Sequence, residues 1–145
     1  MKAVAFWLVL LCCISLVGCI LPWKDTRVVA IAGAEGKVVC IRAEVADTTE
    51  KISVGLSRRS SLPQDGGMLF IFDKTVTYPF WMRDTYIPLS IAFISEEGVI
   101  VDIQDMDPLS ERSHYPAQSY RYALEVNQGF FQRNGIGVGS RVEFR

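Results

Sequence analysis

Histidine and cysteine, the residue types from which many catalytic pairs and zinc sites are built, are scarce in this sequence. The 145 residues contain one histidine, His114, and four cysteines. A single histidine excludes zinc sites that are built on several imidazoles. It also leaves only one candidate base for a Ser-His-Asp hydrolase, and no serine lies in a G-x-S-x-G motif. The sequence therefore gives little support to nucleophilic hydrolysis.

The beginning of the chain is poor in charge and rich in apolar residues. Lys2 is followed by a continuous apolar run from Ala3 to Ile14, which is too short and too early for a reliable membrane-spanning helix. We interpret residues 1–18 as a secretory signal peptide. The following Leu16-Val17-Gly18-Cys19 resembles the lipobox of bacterial lipoproteins, in which a peptidase cuts before a lipidated cysteine. The alternative is an ordinary secretory signal in which Cys19 is incidental.

Cleavage at this site would leave one unmodified thiol in the protein. Cys12 and Cys13 leave with the signal peptide, Cys19 carries the lipid, and only Cys40 stays in the folded domain. An intramolecular disulfide is then impossible, and the core alone must hold the domain together. We expect an extracytoplasmic lipoprotein, which in a Gram-negative host would sit on the outer membrane and face the periplasm.

The processed chain has a nearly balanced charge. Loss of residues 1–18 removes only Lys2 from the 15 basic residues, which leaves 14 basic against 16 acidic ones. A net charge of −2 does not favour electrostatic binding to nucleic acid. Residues 19–26 form a lipid-anchored tether, and residues 27–145 have the length of a single domain. The predicted partners are the membrane, through Cys19, and a small molecule or protein of the cell envelope.

Short segments rich in β-branched and aromatic residues dominate the domain. They predict strands over 28–32, 37–46, 67–72, 79–83, 89–95, 99–105, 120–126 and 141–144, the first two joined as a hairpin across 34–36. A capping box from Asp47 to Glu50 predicts a helix over 48–59, and a second short helix is predicted over 128–134. No β-α-β alternation is visible. We predict a mainly β (α+β) domain, an antiparallel β-sandwich or distorted barrel of about eight short strands with two short helices.

Ordered sequence blocks run through this domain. They include Glu44-Val45-Ala46-Asp47-Thr48, Gly67-Met68-Leu69-Phe70, Phe80-Trp81-Met82, Pro88-Leu89 and Gly98-Val99-Ile100. In these blocks the chain resembles the bacterial and archaeal family known as domain of unknown function 192 (DUF192). The resemblance implies a mainly β, sandwich-like domain that is often exported in bacteria and has no established activity. Ser57 and Ser90 depart from the family pattern, in which methionine and aspartate are usual at these places, so this chain has no carboxylate at position 90.

Phe80 to Ser90, with the sequence FWMRDTYIPLS, supplies the core of the candidate site. In an extended strand Phe80 and Met82 point to one face and Trp81 to the other. If the first two are core residues, Trp81 stands on the outer face or in a cleft. We predict a shallow pocket that holds a sugar, a peptidoglycan fragment or another polar small molecule. Its lining residues are Arg59, Trp81, Thr85 and Glu125.

Two structural alternatives compete with this pocket. Trp81 also fits the role of a core aromatic wedged between layers, followed by a turn at Asp84 and Thr85. Arg59 and Glu125 also fit a structural ion pair between the helix and the sheet. Each alternative assigns the side chain to the fold and leaves nothing for a ligand.

Two classes of function follow from these residues. We predict a binding or accessory module for a cell-envelope ligand or partner protein, with no catalytic residue and no cofactor assigned. The alternative is a hydrolase of envelope carbohydrates or peptides that uses Glu125 or an acid in the run from Asp102 to Asp107. Such an enzyme needs a second carboxyl group within ~5–10 Å of the first.

Two groups of residues have the chemistry of metal ligands without a full motif. Three aspartates offer hard oxygen atoms to calcium but lack the glycine and glutamate of an EF-hand loop. Three methionines offer thioether sulfur to Cu(I), although methionine beside aromatic residues more often serves core packing. The two groups are Asp102, Asp105 and Asp107, and Met68, Met82 and Met106.

Overall fold

The computed structural model describes residues 25–33 and 36–145. The predicted signal peptide, Cys19 and the tip of the first hairpin lie outside these residues. Within them, no helix is long and apolar enough to cross a membrane. The elements are β1 Thr26–Ala32, β2 Val38–Ala46, α1 Thr49–Val54, β3 Gly66–Val76, β4 Leu89–Ile94, β5 Ile100–Met106, β6 Tyr120–Asn127, α2 Phe130–Arg133 and β7 Val142–Phe144.

The strands form one mixed sheet in the order β5-β4-β6-β3-β2-β1-β7. A backbone bridge between Val99 and Arg141, the residues just before β5 and β7, brings the two outer strands together at one end, so the sheet curls into a half-barrel. The predicted fold class, a mainly β distorted barrel with two short helices, is confirmed. One part of the prediction is wrong, because the sheet does contain a β-α-β unit. Strands β2 and β3 pair in parallel, and α1 forms the crossover between them.

The sheet buries both of its faces in two separate hydrophobic clusters. The inner core takes side chains from every strand and from α2, including Ile31, Leu69, Leu124 and Phe131. The outer core covers the opposite face of β3, β4 and β6. Alternation along β6 places Glu125 on the same face as Ala123, which belongs to the outer core. The candidate site therefore lies on the outside of the half-barrel.

The prediction of a strand over 79–83 is wrong. The sheet has seven strands, where about eight were predicted. Only one bridge, between Phe80 and His114, pairs this segment with another. The chain then turns at Asp84, whose φ is 54°. The expected burial is right for Met82, which is fully buried in the outer core, and Phe80 packs against the same cluster.

Helix α1 is shorter than predicted and begins one residue later than its capping box suggested. Gly55, with φ of 50°, ends the helix, and a Cβ there would lie 3.5 Å from the Phe70 ring. The N-cap is Thr48, whose hydroxyl accepts from the Lys51 N–H at 3.3 Å. Asp47, predicted to cap the helix, pairs instead with the Lys51 ammonium at 2.9 Å. Because the helix ends here, the chain after Gly55 can form a wall beside the outer core.

Candidate functional site

A cavity of about 510 Å³ opens on the outer face of the sheet, beside α1. Its volume lies in the range that is usual for small-molecule sites. Its walls are the chain from the end of α1 to Arg58, the segment from Phe80 to Thr85, Phe70 on β3 and Glu125 on β6. The structure thus brings Trp81, Thr85 and Glu125, three of the four predicted site residues, to one cavity.

Glu125 is a buried carboxyl group without a partner. Its side chain is only 4% exposed, although the residue lines the cavity. No hydrogen bond or ion pair from any described residue reaches its carboxyl group. Burial disfavours the charged form and raises the pKa of Glu125 to about 8. At neutral pH the group is therefore protonated, and it can donate its O–H to an acceptor in the cavity.

Three hydroxyl groups on the cavity wall are used by the fold. Each donates to a backbone carbonyl two or three residues earlier in the chain, at distances of 2.6 to 3.3 Å. Thr85, predicted as a lining residue of the pocket, is 6% exposed and donates to the carbonyl of Arg83. These hydroxyl groups, of Ser53, Ser57 and Thr85, have no proton left for a ligand.

Two residues on the cavity rim have the left-handed backbone conformation that non-glycine residues rarely adopt. Arg58 has φ of 60° and Asp84 has φ of 54°. The Arg58 N–H donates to the Asp84 carbonyl at 2.8 Å, and the two side chains approach to 3.9 Å. Backbone strain of this kind persists only where surrounding contacts hold it, and it is common at ligand sites. The rim is therefore fixed before any ligand arrives.

Trp81 forms an exposed wall of the cavity. Its side chain is 53% exposed, and the Arg83 guanidinium lies 5.5 Å from the centre of its ring. The alternative that Trp81 is a core aromatic is therefore wrong. The core positions of this segment belong to Phe80 and Met82, in agreement with their predicted orientation.

Arg59 does not join the other three predicted residues. Its guanidinium donates to both carboxylate oxygens of Glu44 on β2, at 2.6 and 2.8 Å. The pair lines a separate cavity of about 540 Å³, which shares only the wall formed by Val54 and Gly55 with the first. The alternative of a structural ion pair with the sheet is therefore confirmed for Arg59, whose partner is Glu44, and is wrong for Glu125.

The acidic run on β5 does not supply a metal site or a second acid for Glu125. Asp102 accepts from Gln104 and from the Ala117 N–H, whereas Asp105 accepts from the hydroxyl of Ser90. Asp102 and Asp105 are three residues apart on a strand and so face opposite sides of the sheet. Across the described ranges, no three His, Cys, Asp or Glu residues are grouped to hold a metal ion.

Position 90 has a carboxylate as its neighbour. Ser90 donates to Asp105 on the adjacent strand and accepts from the Gly129 N–H at 2.8 Å. Both contacts belong to the wall of a different cavity, beside α2. The departure at Ser90 therefore leaves the lining of the Glu125 cavity unchanged.

Sequence reasoning missed three residues of the cavity rim: Arg58, Arg83 and Asp84. The signal for Arg83 and Asp84 was present, because both lie in the same short stretch as Trp81 and Thr85. Arg58 has no such signal, since its place on the rim depends on where α1 ends.

The comparisons with known proteins agree with the fold. The family model DUF192, described as "Uncharacterized ACR", matches residues 30–144. The chain is similar to a protein from Sinorhizobium meliloti 1021 whose crystal structure is described provisionally as that of a transcription regulator. The two sequences are 32% identical, and the structures superpose with a TM-score of 0.81 over 83% of this chain and 95% of that chain. A protein of unknown function from Novosphingobium aromaticivorans DSM 12444 is 30% identical with a TM-score of 0.80, covering 86% and 89%. The comparison with curated proteins finds no match.

Proposed function

The chain belongs to the DUF192 family of uncharacterised proteins, and we propose that it is a binding module that holds a small ligand of the cell envelope. The observation that carries this proposal is the Glu125 carboxyl group, which is buried beside a cavity and has no partner among the described residues. A ligand in the cavity would supply the missing hydrogen-bond acceptor.

The contacts of Glu125 favour a role outside folding. The fold gives its carboxyl group no hydrogen bond, although other polar groups on the same wall, such as Ser57 and Thr85, are hydrogen-bonded. Its oxygens are not among the fully buried side-chain atoms of the described residues that lack a partner, so they are accessible from the cavity. Ligand pockets carry a small number of such placed polar groups, which fix the orientation of the ligand. Trp81 adds an aromatic face to the rim, against which a sugar ring or a planar group can pack.

A thermal-shift screen of the full chain against envelope sugars, muropeptides and short peptides tests this function. We expect a compound that raises the melting temperature of the wild type and has no effect on Glu125→Leu, because leucine fills the space but cannot donate a hydrogen bond. The matched control is Arg59→Gln, which lies outside the cavity and should keep the response. If the same compounds stabilise Glu125→Leu as much as the wild type, the proposed site is wrong.

A hydrolase is the second candidate, and one observation favours it. Asp84 is the only other carboxylate among the described residues that line the cavity. Glu125 and Asp84 would provide the two carboxyl groups that glycosidases use, with the neutral Glu125 as the acid and Asp84 as the base or nucleophile. The screen separates the two functions. A compound recovered unchanged supports binding, and a cleaved compound whose turnover is lost in both Glu125→Gln and Asp84→Asn supports hydrolysis.

The location in the cell is a further part of the proposal, and it rests on the sequence Leu16-Val17-Gly18-Cys19 after an apolar run. Cys19→Ser should move the protein out of the membrane fraction and abolish labelling by a fatty acid, because the serine hydroxyl does not accept the lipid. Cys40→Ser, which changes the free thiol of the domain, should remain labelled. A wild type that carries no fatty acid would disprove the anchor.

A further inference from the structure

The polar groups of the Glu125 cavity fall into two sets, those used by the protein and those left free. The hydroxyl groups of the wall donate to their own backbone, and Arg58 pairs with Asp84. Among the described lining residues, three polar side chains have no hydrogen bond or ion pair. They are the carboxyl group of Glu125, the guanidinium of Arg83 and the indole N–H of Trp81. Since Glu125 is protonated at neutral pH, all three are donors.

The free donors also leave one positive charge without a partner. Asp84 offsets Arg58, whereas the Arg83 guanidinium has no ion pair with a described residue and lies 5.5 Å from the centre of the Trp81 ring. A guanidinium presents paired N–H groups that match a carboxylate. The cavity therefore complements a ligand that carries one negative charge and at least one neutral acceptor.

We propose that the cavity takes a small hydroxylated monocarboxylate of the sugar-acid type. Its carboxylate pairs with Arg83, and one of its neutral oxygens accepts the O–H of Glu125. The sugar ring of the ligand packs beside Trp81. This inference rests on the proposed binding function and narrows it to one class of ligand.

Other classes of ligand fit these groups less well. An amine would meet the guanidinium groups of Arg58 and Arg83 without a free carboxylate to receive it. A phosphate monoester carries about −1.5 to −2 charges at pH 7, which exceeds the single unpaired guanidinium and meets Asp84 on the same rim. A neutral sugar would leave Arg83 unpaired.

The test compares four probes that share a sugar ring and differ in charge: D-glucuronate, methyl α-D-glucoside, D-glucosamine and glucose 1-phosphate. Binding to the full chain at pH 7 is followed by the NMR signal of the Trp81 indole N–H, assigned with Trp81→Phe. We expect D-glucuronate to bind about tenfold more tightly than each of the others, the size of effect that a charged hydrogen bond gives. Arg83→Gln should lower its affinity about tenfold, to that of methyl α-D-glucoside. The control Arg59→Gln, which lies outside the cavity, should leave the affinity for D-glucuronate unchanged.

Several results would overturn this inference without touching the binding function. Equal or tighter binding of D-glucosamine, methyl α-D-glucoside or glucose 1-phosphate would disprove the monocarboxylate class. An Arg83→Gln variant that binds D-glucuronate as the wild type does would disprove the charge pairing. D-glucuronate that leaves the Trp81 signal unchanged would disprove the ligand class as well. The binding function fails only if the compounds of the wider screen act equally on wild type and Glu125→Leu.

Discussion

Between pH 4.5 and pH 8, Glu125→Gln should gain about 4 kcal/mol of folding stability relative to the wild type. Burial raises the pKa of Glu125 from its ordinary value of 4.5 to about 8 in the folded protein. Between these values the unfolded chain loses the proton and the folded protein keeps it, so the stability of the wild type falls as the pH rises. Each pH unit in this window removes about 1.4 kcal/mol. Glutamine has nearly the same shape and carries no charge, so it avoids this loss.

Urea denaturation of both proteins between pH 4.5 and pH 8 measures the effect. The difference between the two profiles isolates Glu125 from other titrating groups such as His114, whose pKa is lowered by burial. This difference should grow steadily as the pH rises through the window. Glu111→Gln, at an exposed position outside the cavity, should follow the wild type. Parallel profiles for Glu125→Gln and wild type would show that the carboxyl group is ionised in the fold.

Met82→Ala should destabilise the protein by ~2–5 kcal/mol, through lost burial and the cavity that remains. Met82 is fully buried in the outer core, although it lies in a segment without regular secondary structure. The matched change one residue earlier, Trp81→Ala, should cost less than ~1.5 kcal/mol because more than half of that side chain is exposed. The midpoint of urea unfolding, at unchanged slope, reports both values. A smaller loss for Met82→Ala than for Trp81→Ala would contradict the assignment of core and rim.

Alternation of apolar and polar residues predicted the strands well where a strand has one solvent-exposed and one buried face. On β2, Ile41 and Ala43 are buried and Cys40 and Arg42 are exposed, as their alternation indicates. The same kind of pattern failed over 79–83, where aromatic and apolar residues cover the outer core from a loop. Alternating burial reports which side chains face a core, and it does not report whether the backbone has a neighbouring strand. For the same reason the parallel pairing of β2 with β3 was not visible, because it depends on contacts between distant segments.

The candidate site shows the same division between local and distant effects. Trp81 and Thr85 were found because they lie in one stretch of sequence that also forms one wall of the cavity. Arg59 was misplaced because its partner, Glu44, lies 15 residues away on another element. Glu125, predicted as a site residue, does line the cavity, but its neutral state depends on burial by the surrounding strands and the chain after α1. No property of the residues beside it in the sequence encodes that burial.

The titration of the Glu125 side chain tests the central claim most directly. In the full chain labelled with ¹³C at glutamate, the carboxyl signal that is absent from Glu125→Gln can be followed from acid to alkaline pH. A neutral, unpartnered carboxyl group beside an open cavity predicts a midpoint at about pH 8. A midpoint near the ordinary glutamate value of 4.5 would show that Glu125 is charged and solvated in the folded protein, and the ligand cavity built on it would lose its basis.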